Sequence, residues 1–553
     1  LQPISRTAEN LTIITAEEIE NMNAHTLTDV LTHVTGVQVQ PRGGPGSGSS
    51  VNVQGSQERH VLFLLDGVKL NNLSENWADV GSIPVQMIER VEVLKGPGSS
   101  TWGSSLGGVV NVITKTPDRT RPVGGTVVGS VGERRTGDYR AETTGTMGAF
   151  GYYVYGGHLT SGGFGPQTSV YENNAYAKFS LSLPKGSLAW TGGYIRSSRG
   201  EGRIPEWNLS YSTRMENLLS TLSLSYSPTD SLDLDVSLRA VKNRLTSLTA
   251  TISDGASESL PYGDRTLGGS AKASYRYGAH SIVVGTDLDD GRTTGAWVAG
   301  KHRLRTLAFF ANDAIAVGPV SIIPGLRYDH TNTNGSFVSP SLGIAYKVGE
   351  HTTVRAYSAK GFNIPPLSSL YSATPGFVRN PDLDVERVSS FQVGIESWVL
   401  KHLWFKTTLF RHDITDAITT VRVGTDSYTV ANAERQRRQG LEIEVKTRPV
   451  YDFSLAAGAT YLDSKDRRTG DRLPNSVRYS YDVGVEYNND RLFSAVLKGH
   501  YIRLANTIPE FQAKDGTFVW DIHVSRTVFT AKAATAQAFF SVRNLFRSEQ
   551  YIA

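Results

Sequence analysis

A transmembrane β-barrel preceded by a small α/β module is the fold class this sequence predicts, and three observations carry the prediction. Residues 82–115 combine a proline-started helix, a strand, a glycine-rich turn and a second strand, a texture found nowhere later in the chain. From about residue 121 the pattern becomes alternation of apolar and polar residues, the period of a strand with one apolar face. No apolar run approaches the roughly 18 residues that a membrane helix needs, a limit that applies to helices and leaves strands free.

Composition narrows the functional classes. The 553 residues include 56 basic and 52 acidic ones, a formal net charge of +4 with the two signs well mixed, so no nucleic-acid partner is expected. With no cysteine, disulfides, thiolate metal sites and thiol catalysis are excluded together. The 55 glycines, 24 tyrosines and 8 tryptophans suit a barrel whose strands alternate between lipid-facing and lumen-facing side chains. The chain opens at Leu1 without a charged-then-apolar leader, and a signal peptide is expected to have preceded it.

Taken in order, residues 11–15 read as a first strand. Thr15-Ala16-Glu17-Glu18 fits a capping box that starts a short helix. A second helix begins near Thr26, with Leu27, Val30, Leu31 and Val34 on one face and Gly36 as its stop. Residues 41–50 are a loop of glycine, serine and proline. It lacks the lysine and the spacing of a phosphate-binding loop. Residues 51–55 and 61–68 read as strands, and residues 71–79 as a polar loop carrying Trp77. An indole there leaves apolar surface exposed unless the barrel wall or a planar ligand covers it. Arg42 would suit a carboxylate- or phosphate-bearing ligand. Ser82 and Pro84 predict a capped helix start, and residues 91–94 and 109–113 predict strands.

The residues of this last stretch carry a resemblance. The run Ile88-Glu89-Arg90-Val91-Glu92-Val93-Leu94-Lys95-Gly96-Pro97, then Trp102-Gly103 and Gly107-Gly108-Val109-Val110-Asn111-Val112-Ile113-Thr114-Lys115, resembles the plug domain of TonB-dependent outer-membrane receptors. The resemblance implies a plug (residues 1–120) inside a barrel of about 22 antiparallel strands (residues 121–553). It implies a monomer in the bacterial outer membrane that imports a scarce ligand with energy passed through TonB. The two polar loops become the plug apex, with Arg42, Ser47, Ser49, Ser74, Asn76 and Trp77 as ligand contacts. The apolar TonB-contacting box of the family is expected upstream, because the capped helix follows residues 11–15 at once.

A different-class reading, a barrel hydrolase, rests on Gly103-Ser104-Ser105-Leu106-Gly107, which matches G-x-S-x-G. A nucleophile elbow requires strand, turn and helix, whereas a β-branched strand follows Ser105. No catalytic residue, cofactor or metal site is therefore expected.

In the barrel, Leu222, Leu224 and Tyr226, a turn at 227–231, then Leu232, Leu234, Val236 and Leu238 read as a hairpin with one apolar face. Leu342 to Val348 and Tyr481 to Tyr487 repeat the alternation. Residues 121–553 divide among about 22 tilted strands of roughly twenty residues with their connections. Gly361-Phe362-Asn363-Ile364-Pro365 with Asn380-Pro381-Asp382-Leu383, and Asn544-Leu545-Phe546, resemble further family motifs. No histidine lies between Phe362 and Asn380, against haem. The acids Glu172, Asp254 and Asp264 are too scattered for the calcium cluster of cobalamin receptors. The resemblance therefore favours a ferric siderophore, with a corrinoid as the alternative, and Tyr171, Trp207, Tyr211, Tyr371 and Phe377 as loop contacts.

Two departures from the family stand out. Where its plug carries two arginines facing two barrel glutamates, this chain has Gln54 and Lys95 facing Gln392 and Glu442. Lys95 is expected to pair with Glu442, and Gln54 with Gln392, since two amides satisfy one another. The chain also ends at Ala553 without a terminal aromatic strand, so a further strand is expected to complete the barrel.

Overall fold

A computed structural model describes residues 8–41, 43–474, 476–489, 491–505 and 518–548. The first strand, β1 (Asn10–Thr15), feeds α1 (Ala16–Asn21) through the capping box expected there: the Glu18 amide donates to Thr15 Oγ1, and the Thr15 amide donates to the Glu18 carboxylate at 2.9 Å. Next comes α2 (Leu27–Thr32), whose first turn is fixed by Asp29 accepting from the His25 and Thr26 amides. The hairpin of β2 (Val37–Pro41) and β3 (Ser49–Val53) follows, then β4 (Val61–Leu65) and β5 (Val68–Lys69). The module closes with β6 (Ile88–Lys95), the short helix α3 (Ser99–Trp102) and β7 (Gly108–Thr114). Five of these strands make one sheet in the order β1-β6-β7-β4-β5, with β4 and β7 parallel.

The helix expected from Ser82 and Pro84 does not form. A 3-10 turn covers Val80–Ser82, the Ser82 hydroxyl donates to the Asp79 carbonyl, and Pro84 bridges to Thr26. Residues 80–85 are buried throughout, Pro84 included, and the Ile88 amide closes a turn onto the Val85 carbonyl at 2.9 Å. The Leu27 amide takes the Ile83 carbonyl at 2.9 Å, so tertiary pairing outweighs the local helix-start signal.

The rest of the described chain is one closed barrel of 22 strands. One of them, Phe377–Val378, has two residues and lies parallel to the strand Tyr428–Thr447. The others pair antiparallel with their sequence neighbours, as in Leu209–Thr229 with Leu232–Thr251, where Leu222 faces Leu238 and Leu224 faces Val236. These four leucine and valine side chains are exposed on the outer wall, while Leu219 and Thr221 are buried inside, so the alternation predicted for this hairpin holds. Its turn is tighter than expected: a register shift between Tyr226 and Thr229 lets the strand run on until Thr229 faces Leu232. The described strands already close the ring, with Thr535–Val542 beside Gly124–Gly132, so the further strand expected after Ala553 is not needed for closure.

The plug fills the lumen with a hydrophobic core largely its own. Leu27, Val30, Leu31, Val53, Val80, Val91 and Val110 are fully enclosed, and from the barrel Tyr153, Tyr155, Tyr176 and Leu219 join them. A smaller cluster, Leu367, Leu370, Leu383 and Ile418, draws the long connection 364–385 inward over Leu73.

Candidate functional site

The apex loop 71–79 is held at one end of the barrel by specific bonds. Its Leu73 amide donates to Asp264 at 3.0 Å, its Ser74 amide to the Tyr262 hydroxyl at 3.1 Å, and Asp79 pairs with the buried Arg199. The connection 364–385 is stapled to the same loop, since the Ser368 amide and hydroxyl both donate to the Ser74 carbonyl. Asn76, held at φ 58°, donates to the Arg59 carbonyl and to Asn363 Oδ1.

Among the described apex contacts expected from the sequence, Trp77, like Asn76, presents surface. It is half-buried, and its indole N–H donates to Glu75 at 2.8 Å. Ser47, Ser49 and Ser74 lie buried beneath the apex, the hydroxyls of Ser47 and Ser74 without partners. Asn76 is committed to the scaffold, and Arg42 lies outside the described residues. The barrel residues divide similarly. Tyr171 is corrected: it is 54% exposed between the buried Val170 and Glu172, so it faces away from the lumen, in edge contact with His158. Tyr371 stacks on His302 with centroids 3.7 Å apart and is part of the folded connection. Phe377 tilts against Tyr428, Trp207 is exposed on a turn, and Tyr211 shares the inward face with buried Met215.

Ser105 is buried, its hydroxyl donates to the Gly108 carbonyl at 2.9 Å, and β7 follows it. The G-x-S-x-G pattern thus lacks the helix that an elbow places after its serine.

The contact between plug and wall is where the chain concentrates charge. Lys95, at the end of β6, is fully buried and reaches Glu442 at 3.3 Å and Glu444 at 3.1 Å, two carboxylates on one face of the strand Tyr428–Thr447. Burial works against the Lys95 ammonium, yet the two carboxylates more than offset it and hold its pKa above the ordinary lysine value. Asn10, opposite Lys95 in the β1–β6 ladder, donates to the same Glu442 at 2.9 Å.

The expected pairing of Gln54 with Gln392 is corrected here. Gln54 Nε2 donates to Glu442 at 2.9 Å, and its Oε1 accepts from His412 Nε2, whose other nitrogen meets Ser390. Gln392 instead donates to the Lys95 carbonyl at 2.9 Å. The reason is that Glu442 needs several donors: a buried carboxylate shared with only one lysine would keep unmatched lone pairs. Gly36 makes room for this arrangement. It sits at φ 78°, and a Cβ there would stand 2.0 Å from Glu442 Oε1.

A second anchor was not foreseen from the sequence. Glu386 is fully buried and accepts from Arg59 at 2.8 Å, His60 at 2.8 Å, Asn363 at 3.0 Å and the Ile418 amide at 3.0 Å. A third joins Asp29 of α2 to Arg543 through two bonds of 2.9 Å. The available signal was the spacing Glu442-Ile443-Glu444, which aims two carboxylates at one face and so demands a buried cation. Nothing comparable marks Glu386.

His60 gives this contact a pH dependence. Its burial, only partly countered by Glu386, lowers its pKa from the usual 6.5 to about 4. Between those values the unfolded chain holds the extra proton and the folded plug does not, so stability falls as pH drops from about 6.5 towards about 4. Protection factors of plug amides, taken relative to the intrinsic exchange rate at each pH, are expected to fall from pH 7 to pH 5 and to fall less steeply in His60→Gln. Equal slopes in both proteins would overturn the assignment.

Comparison with known proteins agrees with this architecture. Residues 124–545 match the family described as TonB dependent receptor-like, beta-barrel, and residues 3–109 match the TonB-dependent Receptor Plug Domain. A vitamin B12 transporter BtuB of Vibrio vulnificus is 29% identical over 417 residues, 71% of this chain and 65% of that protein. One from Photobacterium profundum is 24% identical over 544 residues, 92% of this chain and 84% of that protein. Among solved structures, the ferric enterobactin receptor PfeA of Pseudomonas aeruginosa superimposes with a TM-score of 0.81 at 18% identity, covering 98% of this chain and 93% of that one. The siderophore receptor PirA of Acinetobacter baumannii gives 0.78 at 16%, covering 97% and 94%. At such identities these likenesses speak to the fold. With both domains matched in order and the barrel match spanning most of its length, the chain belongs to the TonB-dependent receptor family.

Proposed function

We propose that the protein binds a scarce ligand at the plug apex on the outer face of the bacterial outer membrane and passes it inward when TonB draws on the plug, without a covalent step. The observation that carries this reading is the joint at Glu442. There the start of β1, through Asn10, shares one buried carboxylate with Lys95 and Gln54. Lys406 also holds the Leu11 carbonyl at 3.0 Å. A pull on the chain before Asn10 reaches this joint first, and peeling β1 from β6 removes a donor from the carboxylate that fastens the plug.

For the ligand, the sequence relatives support a corrinoid. So does the state of the buried arginines near the apex: Arg199 is taken by Asp79 and Arg59 by Glu386, which suits a ligand of low net charge. A ferric siderophore is the second reading, favoured by the indoles of Trp77 and Trp207 at the apex end. Titrating the purified receptor with cobalamin and with a ferric catecholate, read by tryptophan fluorescence, separates the two. Cobalamin is expected to bind, and Trp77→Ala to weaken it by roughly ten- to a hundredfold. Saturation by the catecholate alone would establish the second reading, and binding of neither would overturn both.

A further inference from the structure

Four neighbouring strands bring four cations into a single row on the outer wall. Lys242 of Leu232–Thr251 stands opposite Arg265 of Ser257–Tyr277, Arg265 opposite Arg292 of His280–Gly295, and Arg292 opposite Arg303 of Val298–Val317. All four point away from the lumen. Arg265 follows Asp264, which is buried, and Arg292 precedes Thr293, which is buried too. Like charges directly opposite on one face of a sheet repel. Three such pairs in succession call for an anion to hold them, and the row itself supplies only Asp290, bonded to Arg303.

The position of the row narrows what that anion is. One or two outward places further along each strand the side chains become apolar and exposed: Leu238, Leu267, Leu288 and Leu307. The cations therefore border the belt that faces lipid tails. They do so at the apex end, since Asp264, the neighbour of Arg265, is the residue that holds the Leu73 amide. With strands about 4.8 Å apart, four of them spread the charge over roughly 14 Å, too far for one inorganic ion and wide enough for two phosphates. Guanidinium forks match phosphate oxygens in pairs, and three of the four cations are arginines.

We propose that this row is a docking surface for a phosphorylated lipid of the leaflet on the apex side. Its phosphates sit on Lys242, Arg265, Arg292 and Arg303, and its acyl chains lie along the leucines below. The row lies outside the lumen, so the surface is separate from ligand uptake and from the contact between plug and wall.

The test uses the full chain in detergent micelles with three probes: diphosphorylated lipid A, the same lipid without its phosphates, and inorganic pyrophosphate. Native mass spectrometry is expected to find the diphosphorylated lipid retained and the dephosphorylated form lost. Replacing all four cations by glutamine is expected to weaken retention by roughly six hundredfold, from roughly fivefold per cation. Arg411→Gln, an outward arginine bonded to Asp413, is expected to leave retention unchanged. Heat-dependent migration on a gel reports whether each variant has a folded barrel. If the fourfold variant does not, Arg265→Gln and Arg292→Gln singly are each expected to weaken retention about fivefold. Equal retention of the two lipids, undiminished retention in the folded variants, or competition by pyrophosphate as strong as by the lipid would each overturn the proposal.

Discussion

Glu442→Ala is expected to loosen the plug from the barrel by roughly 3–5 kcal/mol, the range for removing one partner of a buried charged pair. Three plug donors converge on this carboxylate, from Asn10, Gln54 and Lys95. Without it, Lys95 retains only Glu444 and the Gln54 amide keeps no acceptor within the lumen contact described. The measurement is the force or the urea concentration at which the plug unfolds inside an intact barrel, with Lys95→Met/Glu442→Met as the companion variant. The double variant is expected to be closer to the wild type than Glu442→Ala is, because it removes Lys95 together with Glu442 and Glu444 keeps Lys406 at 3.9 Å. Unfolding of Glu442→Ala at the wild-type force would show that the joint bears no load.

Glu386→Ala is expected to have an effect of similar size, again roughly 3–5 kcal/mol, but nearer the apex loop, two strands along the wall from Glu442. It strands Arg59, His60, Asn363 and a backbone amide at once. Since Asn76 rests on Asn363 and on the Arg59 carbonyl, the apex loop should loosen too, which Glu442→Ala need not do. Faster hydrogen exchange at residues 71–79, with a matching loss of ligand affinity, is the expected pair of readouts. Unchanged exchange there would separate the anchor from the apex.

The parts of this protein that were legible in its sequence are those whose cause is local. The Thr15 box needs only Glu18 three residues on, and the wall hairpin at 209–251 needs only its own alternation. The false helix at Ser82 failed because its competitor, Thr26, is far away in the chain. The Lys95–Glu442 pair was expected and is found, but the rest of the anchors fail in the same way: Glu442 also collects side chains from positions 10 and 54, and Glu386 from 59, 60 and 363. Which amide meets which carboxylate is decided by how a plug of a given rotation sits in a ring of given stagger, and no window of sequence contains that. Gln54 illustrates this, since it turns at φ 49°, a conformation its residue type does not announce.

The plug encloses nearly all of its apolar side chains within itself and meets the wall mainly through amides, carboxylates and cations. Such a boundary behaves like a wet bearing. When the plug shifts or partly unravels, the bonds it gives up to the wall can be remade with incoming water at near parity, because hydrogen bonds exchanged for water change little in net free energy. A greasy contact would instead resist parting in proportion to its area and would cling to whatever molecule was passing. Once the few buried charges are released, the remaining lumen surface is a hydrated passage, smooth to a large polar solute and ready to be closed again by the same bonds.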